Sequence, residues 1–199
     1  MAIRAKVQNP SIKKAVERLS SVVVEVALPA ANASWFLTST TMPAANADLA
    51  IASGDWTVRQ PLFPYAPAFV VAENSTDTWT AVTATLTGVD QFGDTGTETI
   101  TGTNSTGTWT CQAGKAYTKL NSATVAVTGT SDANDTVTVG FGKTVGLTAE
   151  IGSNADVLIS TFDGVAEAGT VWAKNSVYTV AGTPNATKLS RIIVKPKIQ

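Results

Sequence analysis

The chain has 199 residues, of which 44% are hydrophobic and only 15% charged, with a formal net charge of −1, against roughly 25% charged residues in an ordinary soluble domain. It contains no His and a single Cys. That excludes Ser-His-Asp and Cys-His catalytic arrangements, zinc held by the usual nitrogen and sulfur donors, and an internal disulfide. The 31 Thr residues, together with many Val, fit a pleated, half-buried sheet and weaken helices through their branched Cβ, so the expected class is all-β. A surface rich in neutral hydroxyls and poor in charge has little protection against association, which implies that partners cover part of it.

In chain order, residues 1–18 are basic: Arg4, Lys6, Lys13, Lys14 and Arg18 stand against Glu17 alone. Within 10–19, Pro10 and Ser11 precede apolar Ile12, Ala15, Val16 and Leu19 at spacings of three and four, which predicts one short helix. The Val-rich run that follows is interrupted by Glu25 and Pro29. It is too short for an export signal or a membrane span, so synthesis in the cytoplasm without export is expected. From 21 to 66 short apolar runs are punctuated by Pro29, Pro43, Gly54, Pro61 and Pro64, predicting an extended arm with strands at 22–28 and 55–59. Trp35, Phe36, Trp56, Phe63, Tyr65 and Phe69 lie in or beside it. An irregular arm has no core of its own, so Trp35, Trp56 and Tyr65 are candidates for burial against a neighbouring subunit, and a homotrimer is expected.

From 67 to 151 turn signals recur at the spacing of a sandwich or barrel, with strands expected at 68–73, 80–89, 98–102, 106–111, 116–120, 123–128 and 136–141. Val82, Ala84 and Leu86 alternate with threonines, and Asp90-Gln91-Phe92-Gly93-Asp94 supplies a hairpin loop. Trp79, Trp109 and Cys111 are expected in the core. Gly140-Phe141-Gly142-Lys143-Thr144 mimics a phosphate loop, but Val137 stands where the first glycine is required and no helix follows. Asp90, Asp94, Glu98, Asp132 and Asp135 are carboxylates in turns, where they cap backbone. The 131–135 segment has oxygen donors for weak calcium binding, and a plain solvated loop is the simpler reading. Residues 152–199 continue the alternation, with a turn at Asp163-Gly164 and a last strand near 191–194.

The stretch from Ala84 through the 90–94 loop to Ile100, then Val137 to Leu147, resembles Ig-like domains of tailed-bacteriophage structural proteins. Thr161-Phe162-Asp163-Gly164-Val165 and Ala181-Gly182-Thr183-Pro184-Asn185-Ala186-Thr187 are similar to their C-terminal parts. The resemblance covers about residues 68 to 195 and departs at Asp94, where Asn is usual, and in the long preceding arm. It implies an Ig-like β-sandwich organised as an N-terminal arm (1–66), a sandwich core (67–151) and C-terminal strands completing the sandwich with a basic tail (152–199). It also implies a virion protein without enzymatic activity or cofactor: a capsid decoration or cement protein binding the major capsid protein on the outside of the head. A head-to-tail or tail component, or an adhesive glycan-binding module, is the alternative.

Charge is segregated along the chain. Residues 1–18 carry +4, residues 188–199, with Lys188, Arg191, Lys195 and Lys197, carry +4, and the middle carries −9. Both ends are therefore candidate anchors on an acidic protein lattice, with Lys195 and Lys197 joining the five N-terminal cations. Nucleic-acid and membrane binding are not expected.

Overall fold

The structure, a computed structural model, describes residues 21–44, 47–56, 61, 63–73, 79–185 and 187–197. The helix expected at 10–19 lies outside the described residues, as do Arg4, Lys6, Lys13, Lys14 and Arg18. The strands are β1 (Val22–Ala27), β2 (Asn32–Thr41), β3 (Leu49–Ile51), β4 (Tyr65–Ala72) and β5 (Ala81–Asp90). Next come β6 (Thr95–Thr101), β7 (Thr103–Ser105), β8 (Thr108–Gln112), β9 (Tyr117–Thr128) and β10 (Thr136–Gly146). The last are β11 (Val157–Phe162), β12 (Val165–Ala166), β13 (Thr170–Trp172), β14 (Val177–Thr179) and β15 (Leu189–Val194). The chain divides into two compact units, one of residues 31–146 and the other of residues 1–30 with 147–199.

The larger unit is a sandwich of antiparallel sheets, ordered β2-β10-β4-β8-β7 and β3-β9-β5-β6, bridged once at Tyr65↔Tyr117. Leaving aside the three-residue β7, its first, eighth, third and sixth strands make one sheet and its second, seventh, fourth and fifth the other. This interleaved order is that of a jelly roll. The all-β sandwich expected from the sequence is thus the architecture found, with a strand order other than that of an immunoglobulin sandwich. In an immunoglobulin sandwich the last two strands share a sheet. Here β10 leaves β9 and enters the other sheet between β2 and β4.

The sandwich begins at residue 31 rather than 67, because β2 and β3 supply strands to both sheets. Pairing of β2 with β10 is irregular twice, and burial along β2 does not alternate. The expected strand at 55–59 is absent at Asp55 and Trp56, and 57–60 lie outside the described residues. The strands expected at 116–120 and 123–128 are one, β9, with a bulge at Asn121 where the pairing with β5 shifts. The carbonyl of Asn121 accepts a 3.1 Å hydrogen bond from the Trp56 indole, so the extra residue holds the preceding segment on the sandwich.

Elsewhere the sequence pattern maps directly onto the fold. Val82, Ala84 and Leu86 are fully buried. On the opposite face the hydroxyls of Thr87 and Thr97 meet at 2.9 Å, and those of Thr85 and Thr99 at 3.5 Å. Cross-strand hydroxyl pairs of this kind give a sheet a stable surface without charge, which accounts for part of the Thr excess. In the β5–β6 hairpin Asp90 Oδ1 accepts from the N–H groups of Phe92 and Asp94, and Gly93 takes φ +90°. Trp79, Trp109 and Cys111 are buried, as expected.

In the smaller unit β1, β15, β11 and β12 form a four-stranded sheet in that order, and β13 pairs with β14. The C-terminal strands β11, β12 and β15 build a sheet with β1. The turn read at Asp163-Gly164 joins β11 to β12, with φ of 54° and 78°, matching the two-residue turn whose twist suits a hairpin.

One close approach governs the sandwich. A Cβ on Gly140 would collide with Asn32 O and the Ala33 backbone across the β2–β10 pair. Gly140→Ala is expected to lower unfolding stability by about 1–3 kcal/mol, the range for overpacking a tight site, in urea titration. Gly54→Ala, which meets nothing within 4 Å, is the neutral control.

Candidate protein-docking surface

Of the carboxylates considered from sequence, Asp90, Glu98, Asp132 and Asp135 hold backbone N–H groups. Glu98 accepts from the N–H groups of Gly114 and Lys115 and from the Tyr117 hydroxyl. Asp132 Oδ1 accepts from Asn134 N–H, and Asp135, fully buried, accepts from Asp132 N–H at 2.7 Å. The calcium-binding reading of 131–135 therefore meets carboxylates already engaged in their own turn. In the smaller unit Glu167 accepts from Tyr178 OH and from the N–H groups of Ala181 and Gly182. No group of three His, Cys, Asp or Glu able to hold a metal occurs among the described residues. The phosphate-loop lookalike lies inside β10 as extended strand.

The aromatic residues of the expected arm are placed by the sandwich itself. Tyr65 stacks on Phe141 at 4.4 Å, while Trp35 and Phe36 meet the same ring at 5.4 and 5.9 Å. Tyr65 and Trp56 are buried and Trp35 is half-buried. Trp56 and Tyr65 are thus internal, a correction to their candidacy as interface residues, because β2 and β4 give the arm the core it was thought to lack. Desolvation by burial raises the pKa of the Tyr65 hydroxyl and, with the neighbouring Glu98, that of Tyr117.

Lys195 and Lys197 follow β15 directly, and their N–H groups donate to Asp156 O and Glu150 O, each at 2.7 Å. β1 pairs with β15 in antiparallel register from Val22↔Val194 to Ala27↔Leu189. The chain before Val22 and the chain after Val194 therefore leave the same end of one strand pair. This brings the start of the basic tail beside the point where the basic N-terminal segment joins the sheet.

The register also defines an open face that sequence reasoning did not pick out. Val24 and Ile192 are buried side by side, so their neighbours Val23 and Ile193 point to the other face. Ile159 pairs with Ile193 in turn, giving the apolar row Val23–Ile193–Ile159. Val23 is 47% and Ile159 53% exposed, with Leu158 at 54% in the adjoining register shift. The next row is Glu25–Arg191–Thr161, with Arg191 Nε 3.7 Å from Glu25 Oε2. Val165, Trp172 and Leu189 are exposed in the same unit, whereas in the larger unit Phe92 is the one large apolar side chain so exposed among the described residues. A signal was present: Val22-Val23-Val24 and Val157-Leu158-Ile159 are consecutive apolar residues in strands, which cannot all face one side.

Charge follows the same division. Residues 1–30 and 147–199 hold ten Lys and Arg against six Asp and Glu, a net +4 that comes entirely from residues 1–18, outside the described residues, whereas residues 31–146 hold four against nine, a net −5. No helix among the described residues is long and apolar enough to cross a membrane. No family model, no curated protein and no solved structure matches this chain.

Cys111 is fully enclosed, with Sγ donating toward Val82 O at 4.0 Å, and burial pushes its thiol up to about 11. A maleimide at pH 8 is expected to leave the native protein unlabelled and to label it in urea, read by intact mass. Because the folded thiol holds its proton above the ordinary value, its contribution to stability falls as pH rises through that window.

Proposed function

We propose that this chain is a structural protein of a tailed-phage particle, a decoration or cement protein that docks on the major capsid protein outside the head through its smaller unit. One observation carries the reading: among the described residues, six of the seven exposed large apolar side chains lie in the unit to which the basic sequence 1–18 is attached. Exposed apolar groups joined to a basic segment are the makings of a protein-binding surface, since apolar area supplies affinity and charge supplies orientation and encounter rate. The acidic jelly roll is then the displayed part. Jelly rolls serve in viral capsid proteins and also in lectins and cupins. The fold is therefore compatible with a virion role without selecting it, and the resemblance to tailed-phage proteins supplies the rest.

On this reading the work is binding, without catalysis or cofactor. That agrees with carboxylates engaged as acceptors for backbone and Tyr groups. A homo-oligomer fits a lattice-binding protein, but burial of Trp56 and Tyr65 within their own sandwich removes the aromatic argument for a trimer. Trp172, 58% exposed on the β13–β14 hairpin, favours the second reading, an adhesive module that stacks on sugar rings.

The test is to separate purified particles into heads and tails, locate the chain, and rebind the full chain to heads lacking it. The protein is expected with the heads. Leu158→Ser combined with Ile159→Thr should weaken rebinding roughly tenfold, as loss of interface anchors does, while Phe92→Ser leaves it unchanged. Recovery with the tails, or loss of binding on Phe92→Ser alone, would contradict the proposal.

A further inference from the structure

We infer that the outer edge of β1 takes up an extended segment of the docking partner as an added antiparallel strand, and that this segment is acidic where it meets Lys195 and Lys197. The inference rests on the docking role proposed above and names how the partner is held.

β1 ends the sheet order and pairs only with β15 among the described strands. Its six residues, Val-Val-Val-Glu-Val-Ala, include no Pro and no Lys, the devices that usually blunt an exposed edge. Its one charge, Glu25, lies on the open face and is engaged with Arg191. On the opposite face Val24 is buried while Val22 and Val26 are only half-covered. Apolar side chains alternating along an added strand would complete that cover, and its main chain would take the unpaired N–H and C=O groups.

Charge selects the occupant. Lys195 and Lys197 follow Val194, and the sequence that enters the sheet at Ser21 is basic. An acidic partner is attracted by this charge. The cations stand at the Val22 end of the strand, where Lys195 and Lys197 follow Val194. Antiparallel alignment therefore calls for acid at the C-terminal end of the added segment.

The full chain is mixed at millimolar concentration with a synthetic peptide of alternating Thr and Val closed by a run of Glu, and amide exchange is followed along Val22–Ala27. In the free chain alternate amides, those turned away from β15, should exchange fast. The peptide should slow them roughly tenfold, and less so in high salt. A peptide closed by Lys, or one with its Glu run at the other end, should not. Lys195→Glu with Lys197→Glu should abolish the protection while leaving β15 amides slow, which shows that the sheet remains folded.

Failure of the Glu-closed peptide to slow these amides overturns the inference, as does equal protection by the Lys-closed peptide. Outward amides already slow in the free chain, from self-pairing or the chain's own N-terminal segment, overturn it as well. Peptide protection without binding to heads would sink the virion reading and keep the edge. Binding to heads with β1 amides left fast would do the reverse.

Discussion

The six-residue pairing of β1 with β15 is the constraint on which the smaller unit depends. It joins residues 22–27 to residues 189–194, so nearly the whole length of the chain is closed by one strand pair. Loop-closure cost grows only slowly with length, and apolar neighbours such as Val24 with Ile192 and Val22 with Val194 reward the closure. The consequence is electrostatic as much as structural. Two basic stretches at opposite ends of the sequence are attached at the same end of one sheet, and a separation invisible in the net charge of −1 becomes a property of one unit.

Much of the architecture was legible because strand periodicity is strict. The alternation in β5, the Asp-Gly turn at 163–164 and the loop at 90–94 each have a local physical cause, and each stands where the sequence put it. What the sequence did not carry was topology. The insertion of β10 between β2 and β4 is long-range, and β2 gives no warning of it, because irregular pairing breaks the two-residue pattern. The same irregularity explains why the aromatic residues of 35–65 read as needing an outside partner. Phe141, more than 70 residues beyond Tyr65, provides the ring against which Trp35, Phe36 and Tyr65 pack.

The proposed docking surface was half legible. Lys195 and Lys197 are candidates from charge alone. Val23, Leu158 and Ile159 were hidden in apolar runs that look like core until register assigns a face. Their exposure, beside the positive charge, moves the argument for partner binding from the aromatic arm to the smaller sheet. The larger unit then contributes a hydroxyl-rich, net-acidic surface, with Thr pairs across β5 and β6.

The central claim is that the smaller unit, and not the jelly roll, meets the partner. Hydrogen exchange compared between the free chain and the chain bound to heads tests it most directly. The account predicts that protection is gained along Val22–Ala27 and Val157–Phe162 and is unchanged along Ala81–Asp90 and Thr95–Thr101. Protection gained on the β5–β6 hairpin, with the smaller sheet unaffected, would contradict it.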